Sequence, residues 1–146
     1  MNKILGTLYQ GNAEDAILAS QDKSVDWIIY LGQELPEKLG FNSPVPIIHI
    51  PVNDRDDNIN KWKIANEVIS SCRSKICCNT LIACRQGISR SPMMLVYYTM
   101  RNHLLFGNFD SASQEFAAAC NFVKVRIAEF RPDPRLFEMI KKELIA

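Results

Sequence analysis

Three short, almost unbroken apolar runs constrain the fold more than any other feature: Trp27-Ile28-Ile29-Tyr30-Leu31, Ile47-Ile48-His49-Ile50 and Thr80-Leu81-Ile82-Ala83. Runs of strand length without polar alternation suit strands covered on both faces, as in a parallel sheet flanked by helices. The segments between them carry helical signals. Asn12, after the Gly11-Asn12 turn, is placed to cap a short helix through Ala19. Asn60 is placed to cap a helix reaching about Lys75, with Trp62, Ala65, Val68, Ile69 and Cys72 at helical spacing. Ser91-Pro92 opens a further helix, with Pro at a tolerated first-turn position. Ser111 and Gln114 form a capping-box pattern, and Asp133-Pro134 starts a last helix carrying Leu136, Phe137, Ile140 and Leu144. Ile4 to Tyr9 reads as a first strand. Strands alternating with helices give an α/β fold, a small, mostly parallel central sheet between helices.

At 146 residues the chain fits one domain, residues 1–146, without internal repeat or linker. The 17 Lys+Arg nearly balance the 16 Asp+Glu, for a formal charge of +1, which argues against a nucleic-acid coat or a membrane-surface binder. No apolar run approaches the ~18 residues that span a bilayer, and Met1 to Thr7 is too short in apolar residues for a signal peptide. The expected location is the cytosol. Five cysteines, at 72, 77, 78, 84 and 120, cannot all pair within one chain, so at least one free thiol is expected. They contain no C-x-x-C and do not combine with His49 or His103 at zinc-ligand spacing, so no metal is expected.

The chemistry concentrates in Cys84-Arg85-Gln86-Gly87-Ile88-Ser89-Arg90-Ser91. An apolar strand runs into Cys84, a five-residue loop follows, and Arg90-Ser91 opens a helix. Ligands in α/β sheets bind beyond the carboxyl ends of strands, and a loop entering a helix N-terminus aims N–H groups at an anion. Gly87 supplies freedom for a tight loop, and Arg90 a planar fork suited to two phosphate oxygens. Helix N-termini and adjacent cations favour the thiolate form of a cysteine, so Cys84 is placed as a nucleophile in line with a bound phosphorus atom. Ser91 can donate a hydrogen bond to the sulfur and ease its departure. A strand-end cysteine taken alone is more often buried filler. The full pattern, however, arises by chance with a probability on the order of 10⁻⁴ or less, and it falls between a strand and a helix.

This loop resembles the C-x-x-G-x-S-R-S signature of dual-specificity phosphatases, within the cysteine-dependent protein tyrosine phosphatase superfamily. Leu8-Tyr9-Gln10-Gly11-Asn12-Ala13-Glu14-Asp15-Ala16 is similar to the family's "LYLGNAEDA" segment, Met94 to Met100 to its "AYLM" stretch, and Arg131-Pro132 to an Arg-Pro before its last helix. The resemblance implies a protein tyrosine phosphatase-like fold and a cysteinyl-phosphate mechanism without metal or cofactor. The phosphate-binding loop then comprises Arg85, Gln86, Gly87, Ile88, Ser89 and Arg90. Arg85 and Gln86 turn their side chains outward, with Arg85 adding charge at the rim. The family also uses a general acid from an upstream loop, and Asp54 lies at the matching position; a register shift would move the role to Asp56 or Asp57. One departure is Ala83, where the family usually has a His that orders the loop, and it implies activity reduced rather than lost.

The implied substrates are proteins phosphorylated on tyrosine and serine/threonine, acted on by a monomer. Relatives that act on RNA 5′-phosphates or phosphoinositides would be expected to carry further cations in the loop, and only Arg85 is available. Ala83 alone favours a third possibility, a catalytically weak phosphate-binding module. Low-molecular-weight phosphatases place their loop near the N-terminus, and rhodanese-type loops lack the Ser-Arg-Ser ending. Among the remaining residues, Cys77-Cys78 reads as filler rather than as a resolving thiol for Cys84. His49 reads as a hydrogen-bonded core residue, Tyr97-Tyr98 as helix packing, and Lys141-Lys142 as the polar face of the last helix.

Overall fold

The computed structural model describes residues 1–41, 45–53, 58–75 and 78–146. A five-stranded sheet lies at its centre, built from β1 (Asn2–Leu5), β2 (Leu8–Gly11), β3 (Trp27–Tyr30), β4 (Ile47–His49) and β5 (Thr80–Ala83). The strand order is β1-β2-β5-β3-β4. Only β1 runs antiparallel to its neighbour; the other pairings are parallel. The helices are α1 (Ala13–Asp22), α2 (Asn60–Arg73), α3 (Arg90–Arg101), α4 (Ala112–Arg126) and α5 (Pro134–Ile145). None of the described helices is long and apolar enough to cross a membrane.

Successive strand side chains point to opposite faces, and the two faces carry separate cores. Ile28, Tyr30, Leu81 and Ala83 pack with Ala13, Ala16 and Ala19 of α1. Ile29, Leu31, Ile82 and Cys84 pack on the other face with buried residues of α2, α3, α4 and α5. The apolar runs are therefore unbroken because both faces are covered. Helix α3 lies deepest, with every residue from Ser91 to Met100 buried, Tyr97 and Tyr98 among them. Its position follows from its sequence, which supplies apolar side chains around its whole circumference.

Several local expectations change in detail. Ile4 to Tyr9 is not one strand: Gly6, at φ +55°, turns the chain between β1 and β2 into a hairpin. β4 is half-buried rather than covered on both faces, because it forms the edge of the sheet. Asn60 is the first residue of α2 rather than its cap, and the Asn58 carboxamide accepts the Asn60 N–H at 3.0 Å instead. Ser111 does accept from the Gln114 N–H, at 3.2 Å, but the Gln114 side chain reaches back to the Asp110 N–H. The box forms in full at Asn12, whose side chain accepts from the Asp15 N–H while Asp15 accepts from the Asn12 N–H. That box fixes the start of α1 immediately after β2.

Candidate active site

β5 is the middle strand, held by β2 on one side and β3 on the other. Its last residue, Ala83, is level with Gly11 and Tyr30. The chain leaves the sheet at Cys84, whose N–H donates to the Gly11 carbonyl at 3.4 Å. One residue on, the Arg85 carbonyl accepts the Ala13 N–H at 3.2 Å, so the loop is pinned to the capped entrance of α1. Gly87 then takes φ +75°, and a Cβ there would sit 3.1 Å from the Asn12 nitrogen. Both the torsion and the close approach require glycine. The turn brings the chain back over Cys84 and into α3.

The consequence is a sulfur surrounded by donors. The Gly87 N–H lies 3.3 Å from Cys84 Sγ, the Ser91 N–H 3.4 Å, and the Ser91 hydroxyl oxygen 3.3 Å. Cys84 is 2 % exposed and Ser91 is fully buried, so these interactions act away from bulk water, where they are electrostatically stronger. The Ser91 N–H is also one of the otherwise unpaired amides at the N-terminus of α3, whose dipole favours negative charge there.

Arg90 is half-buried and donates from Nη1 to the Val52 carbonyl at 3.2 Å. Arg85 and Gln86 are exposed, as the sequence implied. The far side of the loop is braced from the chain that leads into α5. The Arg131 N–H donates to the Ile88 carbonyl at 2.8 Å, and the Asp133 N–H to Ser89 Oγ at 2.9 Å. The structure thus brings Cys84, Gly87, Ile88, Ser89, Arg90 and Ser91 into one turn. Asp54, Asp56 and Asp57 lie outside the described residues.

Two groups near the loop escape a sequence reading. The first is Gln10 of β2, 1 % exposed, which donates to the Gly87 carbonyl at 2.8 Å and to Ser91 Oγ at 2.7 Å. Its signal in the sequence is a lone amide within a strand otherwise suited to burial. The second is a pair, with the buried Tyr30 hydroxyl donating to Glu34 at 2.9 Å. Burial, then the Glu34 hydrogen bond and charge, push the Tyr30 hydroxyl far above the ordinary tyrosine range, against the opposing charges of Arg90 and Arg85. Partial burial raises the Glu34 carboxyl, but its own backbone N–H, the Tyr30 hydroxyl, Arg90 and Arg85 outweigh it and hold the carboxyl below its usual range. The pair is therefore a fixed negative charge in the field of both loop arginines.

His49 Nε2 donates to the Gly32 carbonyl at 2.6 Å and its ring stacks on Tyr30, so it is hydrogen-bonded as expected, but it sits on the half-buried edge strand rather than in the core. Cys72, Cys78, Cys84 and Cys120 are free thiols. Burial raises Cys72, and raises Cys120 to about 11 despite the nearby Lys141. Cys77 lies outside the described residues.

The strand, the glycine-containing loop and the helix that follows it place a buried cysteine sulfur among hydrogen-bond donors at a helix N-terminus. Residues 8–141 match the family described as dual specificity phosphatase, catalytic domain. The chain belongs to that family of cysteine-based protein phosphatases. Solved structures share the fold across nearly the whole chain. Human DUSP28 superposes with a TM-score of 0.77 at 20% identity, covering 97% of this chain and 94% of that one. OH1 from the Orf virus, described as a tyrosine phosphatase with triple substrate specificity, gives 0.79 at 17% identity, covering 99% and 86%. The human tyrosine phosphatase-like serine/threonine/tyrosine-interacting protein gives 0.74 at 19% identity, covering 98% and 94%. At these identities the likeness carries the fold. A comparison with curated protein sequences returned no match.

Proposed function

We propose that residues 1–146 form one catalytic domain, a cytosolic monomer, that hydrolyses phosphotyrosine and phosphoserine/threonine monoesters on proteins through a cysteinyl-phosphate. The observation that supports this most is the convergence of two main-chain N–H groups and the Ser91 hydroxyl on Cys84 Sγ. Donors converging on one sulfur suit an attacking atom that carries negative charge as the reaction begins and ends. A structural cysteine needs no such surroundings.

In the first step the Cys84 thiolate attacks phosphorus, a P–S bond forms and the bond to the leaving oxygen breaks. Asp54 gives that oxygen a proton. Arg90 and the loop amides hold the three equatorial oxygens. In the second step water attacks the phosphocysteine and loses a proton to Asp54. The P–S bond breaks, and the sulfur leaves as a thiolate that accepts a hydrogen bond from the Ser91 hydroxyl. Inorganic phosphate departs and the enzyme returns to its starting protonation state.

The test is Cys84→Ser. Turnover of an aryl phosphate is lost while vanadate still binds, and retained turnover removes the mechanism. Ala83 keeps a binding-only role in view, because the residue before the nucleophile is fully buried and offers the loop no hydrogen bond. Steady-state phosphate release from the wild-type protein separates the two readings.

A further inference from the structure

We propose that Gln10 is a positioning residue of the phosphatase reaction: its buried carboxamide sets the direction of one loop amide and of the Ser91 hydroxyl proton. The inference rests on the hydrolase reading above and adds to it a residue from outside the loop.

The orientation of the carboxamide follows from its neighbours. A carbonyl oxygen only accepts, so the atom 2.8 Å from the Gly87 carbonyl is the nitrogen of Gln10. The oxygen end faces Asn2, whose Nδ2 donates to it at 3.0 Å. Both hydrogens on Gln10 Nε2 are then used, one on Gly87 and one on Ser91 Oγ at 2.7 Å. With no lone pair to offer, that nitrogen forces Ser91 Oγ to act as an acceptor on this side. The single Ser91 proton must go elsewhere, and two acceptors are in reach: Cys84 Sγ at 3.3 Å and the Gly11 carbonyl at 3.4 Å. The Gly11 carbonyl already receives the Cys84 N–H. A thiolate is the better acceptor of the two, because a hydrogen bond to a charged atom is roughly twice as strong as one to a neutral atom.

The second effect concerns the loop backbone. In a trans peptide the C=O and the following N–H point in opposite directions. By holding the Gly87 carbonyl toward β2, Gln10 turns the Ile88 N–H the other way, toward the space above Cys84 where a phosphoryl group sits. On the far side the Ile88 carbonyl is itself held by the Arg131 N–H, so the peptides on either side of Ile88 are fixed from opposite directions. Gln10 also stands where the family segment quoted above has Leu, and Ala83 stands where the family usually has His. Both departures fall at the base of the same loop. A buried hydrogen-bonding side chain has been gained on β2 where one has been lost on β5.

The test uses Gln10→Leu and Gln10→Met in the whole chain, with p-nitrophenyl phosphate as substrate and rapid-mixing detection of the nitrophenol burst. Breakdown of the phosphocysteine slows roughly tenfold or more, the scale of losing one hydrogen bond to a charged group, and the burst grows toward one nitrophenol per enzyme. In a Ser91→Ala background the same Gln10 substitutions slow breakdown less than they do in the wild-type background, because the part of the loss that passes through the Ser91 hydroxyl is already gone. Folded variants with wild-type breakdown overturn the proposal, as does an undiminished loss in the Ser91→Ala background. Failure of both variants to fold makes Gln10 a packing residue and overturns it too. If the wild-type protein shows neither a burst nor steady-state turnover, it is the hydrolase reading that fails, and this inference falls with it.

Discussion

The guanidinium of Arg90 donates to the Val52 carbonyl at 3.2 Å, tying the first residue of α3 to the segment that leads into Asp54. Val52 is buried, 1 % exposed, and its own N–H bonds the Leu31 carbonyl at 3.0 Å, so Arg90 rests against a rigid support. A lysine cannot hold that carbonyl and also present a planar fork to phosphate. Arg90→Lys lowers kcat/KM for an aryl phosphate by about 10²–10³, the usual scale for one preorganised donor. The melting temperature changes little, since a single hydrogen bond is worth about 1 kcal/mol. Paired kinetic and calorimetric measurements check both halves.

Gly87→Ala acts on the loop itself. The φ of +75° is strained for any side chain, and the added Cβ presses on the Asn12 backbone at 3.1 Å. Relieving that contact moves either the loop or the cap of α1. The cost is about 2 kcal/mol, or about 5 °C in melting temperature. Vanadate affinity falls in the same variant, measured by isothermal titration, because the amide that bonds Cys84 Sγ is displaced.

Restoring the family's His at position 83 does not simply improve the enzyme. Ala83 is fully buried, level with Tyr30 on one side and Gly11 on the other, and shares a core with Ala13 and Ala16. Inserting an imidazole there overpacks that core. Ala83→His destabilises the protein by about 1–3 kcal/mol, read as a lower urea midpoint at constant m-value.

Alkaline pH weakens the fold through groups that the native state keeps protonated. The unfolded chain releases the Tyr30 proton from about pH 10, whereas the folded chain, with the hydroxyl buried and bound to Glu34, retains it. Fewer protons on the unfolded state mean that stability declines as pH rises past that value. Cys120, raised to about 11 mainly by burial, adds a decline that begins in the ordinary thiol range and ends near pH 11. Urea midpoints between pH 8 and pH 11 therefore fall more steeply for the wild-type protein than for a Tyr30→Phe, Cys120→Ala double variant. Equal slopes contradict the assignment.

The sheet was legible because its central strands are covered on both faces, which leaves Ile28 to Leu31 and Thr80 to Ala83 no polar interruption. The loop was legible because Cys84, Gly87, Arg90 and Ser91 each meet a separate demand at a fixed spacing. The Gly6 turn was missed because Ile4, Leu5 and Leu8 on either side of it continue the apolar pattern as if no reversal occurred. Gln10 was missed for a different reason. Its partners Gly87 and Ser91 are 77 and 81 residues away in sequence, and only the β2–β5 pairing brings them together. The Tyr30–Glu34 charge was hidden likewise, since its effect depends on arginines from another loop.

The bonds from Arg131 and Asp133 to Ile88 and Ser89 make the geometry of the loop depend on the segment that follows α4. The chain through α4 already holds every strand of the sheet and the nucleophile. It lacks the two clamps that fix the outer wall of the anion loop. Removing the chain from Arg131 onward therefore takes away both clamps together with Leu136, Ile140 and Leu144 of the main core, so the loop and the packing beneath it loosen together.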